Sequence, residues 1–505
     1  MSNFFKSVSL VSCMTLISRV FGFARDLIAA QIFGVTAAVD AFYIAFKIPN
    51  FMRNLFAEGS FSQAFVPILA DYQQNHPQKK IMSFISNMAG TLATFLLIIT
   101  VIGIYRAQDL ITLFSPGLDL YRFNLATTML RITFPYIMLI SLTAFAGSIL
   151  NNYGKFGIPA FTPTLLNICL IITAISFSHC FNIPIMSQAL GVLIAGFAQL
   201  IMQLVTLYRT QLLVMPKFNL HDNGVKAVLK SIVPALFGAS VGQISILLNT
   251  ILASFLVIGS ISWLYYAERL TYFPLGIFGV ALTTVLLPHL SRQHAIQSKN
   301  NFLSALEWGL RWNLIIGIPA SITMLVLAEP MIISLFKYGK FTVHDVIMIK
   351  KCVIAYGIGL QAFMLAKILS AAFYAQKDIK TPVKISIITL ISNIMLSLIL
   401  IRPLAHVGLA LSTSISSWIN VIILWAILYR RNHFAINWKN WSKFFIKLFI
   451  TNIILIITLY FISWPINTWL NWPWWERLLH ITIIGFTAII TYILCLFITQ
   501  AYPKH

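Results

Sequence analysis

Apolar runs recur from one end of the chain to the other, separated by short polar connections. Residues 91–105 and 441–462, for example, are almost continuously apolar. Strands of a membrane barrel would instead alternate apolar and polar residues in segments of about 10 residues. A helix needs about 20 residues to cross a hydrocarbon core of roughly 30 Å, and runs of that length occur throughout. The pattern predicts membrane-spanning helices and argues against a barrel.

About fourteen spans are predicted, which makes the expected fold an all-α polytopic membrane protein. The first six are expected at residues 8–33, 40–72 with a break, 81–105, 123–150, 159–178 and 184–207. The next six are expected at 227–255, 260–288, 302–327, 345–374, 382–401 and 406–428, followed by two more at 441–463 and 477–500.

Composition supports this class, because 59% of the 505 residues are hydrophobic and only 10% are charged. A soluble domain of this length would need a far more polar surface. Five cysteines are scattered without the spacing of a metal site, and no metal site is expected. The net charge of +22 is attributed to loops that contact anionic lipid headgroups, and nucleic acid is not expected as a partner.

The Lys and Arg residues of the short connections predict the orientation, since an excess of them marks the cytoplasmic side. Alternate connections differ clearly, and one set carries most of these cations. The sparse set, assigned to the outside, contains Arg106, Arg122, Lys337, Lys340, Arg402 and Arg477. With an even number of spans, both termini are expected in the cytoplasm.

Two short segments repeat at one offset. Residues 40–47 match 262–269, and residues 65–69 match 286–290, shifted by 221 or 222 positions. Six spans per repeat would give both halves the same orientation and a pseudo-twofold axis along the membrane normal. The predicted domains are an N-terminal lobe at 1–215, a C-terminal lobe at 216–430 and two additional helices at 431–505.

Charged residues lie deep inside several predicted spans, where each would cost about 2.5–3.5 kcal/mol on insertion scales unless it faces water or a partner. The cations are Arg19, Arg25, Lys47, Arg53 and Arg269, and the acids are Asp26, Asp40, Glu58 and Glu268. The cations exceed the acids by only one. The acids can therefore be structural ion-pair partners or part of a cavity for an anion, and charge alone leaves both possibilities open.

Two helical faces bring some of these residues together. Asp40, Lys47 and Asn54 are spaced by seven residues and form one polar stripe on the second span, which Pro49 and Gly59 interrupt. Such a stretch should line a cavity rather than face lipid. On the first span Arg19 and Asp26 share a face, whereas Arg25 lies about 120° from Arg19 on an ideal helix.

Several strings of residues resemble the family of bacterial lipid II flippases called MurJ or MviN, which belongs to the multidrug/oligosaccharidyl-lipid/polysaccharide (MOP) exporter superfamily. The resemblance extends to about residue 430. The strings are SRVFGFARD at 18–26, FKIPN at 46–50, FAEGSFSQAFVP at 56–67, ITFPY at 132–136, PTLLN at 163–167, WLYYAERL at 263–270, YGKFT at 338–342 and KTPVK at 380–384.

The resemblance implies two six-helix lobes and two C-terminal helices that form a groove for a lipid tail. It implies a transporter in the bacterial cytoplasmic membrane that moves lipid II, an undecaprenyl-pyrophosphate-linked peptidoglycan precursor, by alternating access during cell-wall biogenesis. The family's pyrophosphate-binding arginines correspond to Arg19, Arg25, Arg53 and Arg269, with supporting or gating roles expected for Asp26, Asp40, Lys47, Glu58 and Glu268.

The same resemblance implies no catalytic residue and no cofactor, with coupling to the membrane potential or to a monovalent cation. Expected partners are lipid II, membrane lipids and the cell-wall synthesis machinery. Some relatives have an acidic residue where this chain has Tyr272 and a second basic residue where it has Asn54, so ion pairs at these positions are in doubt.

Three alternatives remain from the sequence. A cation-coupled exporter of drugs, or of another lipid-linked oligosaccharide, would share the fold, although the basic balance of embedded charge argues against organic cations. A polytopic glycosyltransferase would need an acidic or metal-binding cluster, and Asp109, Asp119, Glu329 and Glu476 are too dispersed to form one. A scaffold for cell-wall assembly is the third.

Overall fold

The computed structural model describes residues 2–55, 61–432 and 438–501. Helices and short turns make up these ranges, and no strand occurs within them. The first ten helices are α1 (Ser2–Phe33), α2 (Ala37–Leu55), α3 (Phe61–Asn75), α4 (Gln78–Tyr105), α5 (Ala107–Phe114), α6 (Leu120–Thr133), α7 (Tyr136–Asn152), α8 (Gly157–Phe177), α9 (Met186–Arg209) and α10 (Asn223–Ser254). The remaining nine are α11 (Ser260–Pro274), α12 (Val280–Ala295), α13 (Lys299–Val326), α14 (Ala328–Phe336), α15 (Val343–Ala375), α16 (Lys380–Asn432), α17 (Trp438–Ile462), α18 (Ile466–Asn471) and α19 (Trp474–Thr499).

The predicted all-α polytopic class is confirmed, and each expected span coincides with a helix or with a pair of consecutive helices. Within the described ranges, ten helical segments are long and apolar enough by themselves to cross a membrane. The short helices α5, α14 and α18 lie in the connections between spans, where the apolar pattern alone gave no element.

Two of the expected spans, the fourth and the eighth, contain a break within the described residues, and a further break separates the eleventh from the twelfth. The second expected span comprises α2 and α3, and residues 56–60 between them lie outside the described ranges. The fourth turns at Pro135 between α6 and α7, and the eighth contains a π-helical turn, Leu275–Gly279, directly after Pro274. Within α16 two helices meet at Ala405, whose φ is 48°, shortly after Pro403. A proline lacks the N–H that would continue the helical ladder, which explains breaks at these positions.

The chain forms two compact units, Met1–Ile261 and Ser262–His505. In the first unit α1 packs on α8, α8 on α9, and α2 on α6. In the second unit α15 packs on α13 and α16, and α17 packs on α19. The predicted domain ranges 1–215, 216–430 and 431–505 stay a prediction.

An aromatic core fixes α3, α4 and α7 within the first unit. The ring centroid of Phe65 lies 5.8 Å from that of Phe84 and 5.1 Å from that of Phe145. These fully or almost fully buried rings supply much of the packing area. The core supports the neighbouring helices that carry the charged residues.

The connection between α9 and α10 runs along α4. The N–H of Lys217 donates to the carbonyl of Ser86 at 3.0 Å, and the hydroxyl of Ser86 donates to the carbonyl of Met215. Gly90 is needed here, because a Cβ at this position would lie 2.3 Å from the backbone carbon of Lys217. The close approach gives this non-helical backbone its hydrogen-bond partners.

Candidate functional site

Arg25 and Asp26 form a buried ion pair on α1. The Arg25 Nε and Nη2 atoms donate to Asp26 Oδ1 at 3.0 and 2.7 Å, and the two residues are 8% and 3% exposed. A guanidinium at this depth is costly unless its charge and donors are matched. The neighbouring acid provides that match, so the structural ion pair considered for Asp26 is present.

Asn167 of α8 contacts the same guanidinium. Its Oδ1 accepts a hydrogen bond from Arg25 Nη1 at 3.1 Å, while its Nδ2 donates to the carbonyl of Ser18 at 3.2 Å. The sequence prediction missed Asn167, because an uncharged amide in an apolar helix gives little signal. Its polarity within the apolar stretch of α8 and its place at the end of the PTLLN string were the indications available.

Asp40, in the first turn of α2, is completely buried. Its Oδ2 accepts a hydrogen bond from the N–H of Gly259 at 2.6 Å and lies 3.8 Å from Arg122 Nη1. The carboxylate therefore connects α2 to α6 and to the turn that precedes α11. This arrangement fixes the beginning of α2 within the first unit.

Arg122, counted in the sequence among the cations of the sparse connections, is buried at the beginning of a helix. Arg122 lies in the first turn of α6, is 5% exposed, and pairs with Asp119, the residue that caps the helix. Partial desolvation raises the pKa of Asp119, but the hydrogen bonds from Arg122 outweigh it and lower the pKa overall. The acidic cap Asp119 accounts for the burial of this arginine. A count of cations along the sequence cannot detect such a pairing.

Lys47, in the middle of the predicted stripe on α2, is half-buried, as are Asn50 and Arg53. Arg53 Nε donates to Asn50 Oδ1 at 3.0 Å, one helical turn away, and Lys47 lies between Asp40 and this pair along the helix. Glu58 lies outside the described residues. Arg19, on α1, is exposed on the surface of the first unit.

Arg269 lies in the second unit, on α11. Its Nη2 donates to the hydroxyl of Tyr265 at 3.1 Å, and its guanidinium carbon lies 5.0 Å from the centroid of that ring. The side chain is exposed on this unit, and the adjacent Glu268 is half-buried. Tyr272, four residues after Glu268 on the same helix, is exposed.

Arg477, also counted among the cations of the sparse connections, is buried in the second unit. It lies in the first turn of α19, is 8% exposed, and donates to the carbonyls of Trp472, Lys337 and Leu470 at 2.9, 3.0 and 2.9 Å. The short helix α18 ends just before α19, which brings carbonyl groups around the guanidinium.

The chemistry available to these side chains is recognition of an anion. Guanidinium groups present planar forks that match phosphate oxygens, and Arg19, Arg25, Arg53 and Arg269 are all carried by helices. Within the described ranges, no group of three His, Cys, Asp or Glu side chains could hold a metal ion. The binding roles of the predicted site residues stay predictions.

Comparison with known proteins gives consistent results over most of the chain. The profile of the family described as Lipid II flippase MurJ matches residues 29–475. A relative in Buchnera aphidicola (subsp. Acyrthosiphon pisum), named probable lipid II flippase MurJ, is 43% identical over 476 residues, covering 93% of each chain.

Solved structures agree. A structure titled Lipid II flippase MurJ, inward closed conformation, superimposes with a TM-score of 0.81 at 29% identity and covers 96% of this chain and 97% of that chain. An inward-facing MATE family multidrug resistance transporter of the MOP superfamily reaches a TM-score of 0.71 at 13% identity, covering 84% and 98%, and shares the fold alone. With a family match over most of its length and relatives above 40% identity, the chain belongs to the lipid II flippase MurJ family of membrane transporters.

Proposed function

We propose that this protein is a lipid II flippase. It moves undecaprenyl pyrophosphate carrying the peptidoglycan disaccharide-pentapeptide from the inner to the outer leaflet of the bacterial cytoplasmic membrane, as a transporter rather than an enzyme. Both termini face the cytoplasm in this proposal. Membership of the flippase family is the observation that carries it, and the buried Arg25–Asp26 pair inside an apolar helix supports it.

The site proposed for the pyrophosphate consists of Arg19, Arg25, Arg53 and Arg269. Phosphate oxygens accept charge-assisted hydrogen bonds, which are about twice as strong as neutral ones and can be bidentate to a guanidinium. Asp26 keeps Arg25 paired when no substrate is present, because the two charges offset each other inside the protein. When the substrate binds, its negative charge replaces part of the charge of Asp26 as the partner of Arg25.

The hard step is the passage of a charged, sugar-bearing head through hydrocarbon while its long tail remains in lipid. A hydrated cationic cavity meets the first requirement, and a lateral groove meets the second. The proposed cycle is alternating access, in which the cavity opens to one leaflet at a time. A negative-inside potential favours outward movement of the anionic head by roughly 2.3 kcal/mol per charge per 100 mV, so we propose that the potential drives the cycle.

Transport in reconstituted vesicles tests the proposal. Purified protein is inserted into liposomes that contain fluorescent lipid II, and a membrane-impermeant quencher measures the fraction that changes leaflet. Wild type should accelerate the exchange well above that of empty liposomes, whereas Arg269→Ala should remove most of the acceleration. Arg106→Ala is the matched control, since Arg106 is an exposed arginine paired with Asp109 at the surface.

The same vesicle assay distinguishes the proposed flippase from the alternative, a cation-coupled drug exporter. A cation-coupled drug exporter would move organic cations in response to a sodium or proton gradient and leave lipid II where it is. Lipid II exchange that equals the rate in empty liposomes would contradict the proposed function.

A further inference from the structure

We propose that Asn167 is a positioning residue for substrate binding: it holds the Arg25 guanidinium in the orientation that receives the pyrophosphate. The inference rests on the proposed function and deepens it. Asn167 is 8% exposed and belongs to α8, which packs along α1.

The first argument is the number of directions from which Arg25 is held. Asp26 accepts from Nε and Nη2, on one edge of the guanidinium. Asn167 accepts from Nη1, on the other. Acid and amide together hold the guanidinium at both edges and so fix its plane. A planar fork recognises phosphate only when its plane is correctly directed.

The second argument is that the amide nitrogen of Asn167 contacts the backbone of α1. Asn167 Nδ2 donates to the carbonyl of Ser18 at 3.2 Å, about two helical turns before Arg25 on α1. A second contact, 3.4 Å long, joins Nδ2 to the carbonyl of Pro163 on its own helix. One amide thus ties the backbone of α1 to α8 and orients a side chain of α1. The rotation of α1 and the direction of Arg25 are set by the same residue.

The third argument is the free-energy cost of burying an amide in α8. A buried primary amide must satisfy both its oxygen and its nitrogen, and leaving either without a partner costs about 1–3 kcal/mol. An apolar residue would fit the surroundings of α8 without that requirement. Asn167 is explained by what it holds, namely a cation in the predicted substrate site.

A double-mutant cycle tests the proposal. The dissociation constant of undecaprenyl pyrophosphate is measured for purified protein in nanodiscs, with Asn167→Ala and Arg25→Ala singly and combined. Asn167→Ala should weaken binding about tenfold in the wild-type background, as expected for one hydrogen bond to a charged group. In the Arg25→Ala background it should change binding by less than about twofold, because its target is gone.

A purely structural role gives a different result. If Asn167→Ala weakens binding by the same factor with and without Arg25, the two residues act independently and the proposal is overturned. Gln188→Ala is the matched control, since Gln188 is a 2% exposed amide that donates to the carbonyl of Leu170 on α8. It should leave binding within about twofold of wild type.

Asn167→Gln keeps the test usable if the alanine variant does not fold. It retains a neutral amide with an acceptor for Arg25 and a donor for Ser18 on a side chain one methylene longer, so it should bind better than Arg25→Ala does. A loss as large as that of Arg25→Ala would overturn the proposal. Failure of the wild type to bind the pyrophosphate lipid at all would instead count against the proposed function.

Discussion

Two arginines with the same exposure show how differently this protein uses a buried guanidinium. Arg25 on α1 and Arg477 on α19 are each 8% exposed. Arg25 donates to a carboxylate and to a side-chain amide, whereas Arg477 donates to three backbone carbonyls. Burial alone therefore does not identify a binding residue.

The nature of the partners separates the two regions. Arg477 binds backbone carbonyls at the end of α18 and in the connection after α14. These carbonyls cannot move away without unfolding of the turns, so we expect Arg477 to hold the two segments together at all times. Asp26 and Asn167, by contrast, contact Arg25 through their side chains, and the Asp26 side chain can rotate when a stronger anion arrives while Asn167 keeps the guanidinium in place. The contrast predicts that changes at Arg25 affect transport and changes at Arg477 affect stability.

Neutralising the Arg25–Asp26 pair should have the largest effect on transport. In the double variant Arg25→Gln and Asp26→Asn, lipid II transport should fall about 100-fold, because charge-assisted bonds to phosphate contribute about 1.5–3 kcal/mol each. The free energy of unfolding should change by only about 1 kcal/mol, since both charges are removed together. Vesicle transport assays and thermal unfolding measure the two quantities, and normal transport by this variant would refute the assigned role.

Replacing Arg477 should lower the stability of the protein and leave its transport activity nearly unchanged. Arg477→Met leaves three carbonyls without their charged donor and should lower the free energy of unfolding by about 3 kcal/mol. Transport per folded molecule should remain within about twofold. Arg402→Met is the control, because Arg402 is an exposed arginine next to the break within α16, and the substitution should cost less than about 0.5 kcal/mol. Equal destabilisation by both variants would show that the three carbonyl bonds are unimportant.

Arg25→Lys should reduce transport about tenfold, a smaller effect than charge neutralisation. Lysine keeps the positive charge but cannot form the fork that binds Asp26, Asn167 and a phosphate in one plane. Initial rates in vesicles measure the effect. Full activity would mean that charge suffices and that the orientation of the group is irrelevant.

The smallest effect on stability is expected for a third arginine, Arg431, which pairs with Asp378 in the turn between α15 and α16. Its Nη1 lies 2.5 Å from Asp378, and the N–H and hydroxyl of Thr381 also donate to that carboxylate. Hydrogen bonds from Thr381, followed by those from Arg431, lower the pKa of Asp378 to about 2 from its usual 3.8.

Because the folded-state pKa of Asp378 is depressed, its contribution to stability is complete above about pH 4 and disappears as the pH falls through 2. At neutral pH, Asp378→Asn should lower the free energy of unfolding by less than about 1 kcal/mol, since Arg431 is largely solvated. Unfolding midpoints of the wild type and the variant should converge as the pH is lowered from 7 towards 2. A difference that grows on acidification would contradict this interpretation.

The sequence was sufficient for the spans because a bilayer imposes both the length and the helical form of every crossing. Arg25 was identified as embedded for the same reason. The burial of Arg122 and Arg477 was not predicted, because a position at the edge of a span does not reveal whether the chain folds back over the side chain. Asp119 and the turn at Trp472 supply the missing partners, and neither contact follows from a linear pattern.

Asn167 illustrates a second limit. Its sequence neighbours identify an apolar helix, but its partners Ser18 and Arg25 are about 140–150 positions away, and only packing of α8 on α1 brings them together. The same holds for Asp40 and Gly259, which are separated by 219 positions. Long-range pairing of polar groups is decided by tertiary structure, so the sequence predicted that Arg25 and Asp40 are embedded but not what they contact.

The leaflet distribution of lipid II in living cells tests the central claim most directly. Cells depleted of this protein are complemented with wild type, with the Arg25→Gln and Asp26→Asn double variant, or with Arg477→Met at matched levels of folded protein, and externally accessible lipid II is measured. Wild type and Arg477→Met should restore accessibility, whereas the double variant should leave lipid II in the inner leaflet. Continued export after depletion, in cells with no other flippase, would contradict the account.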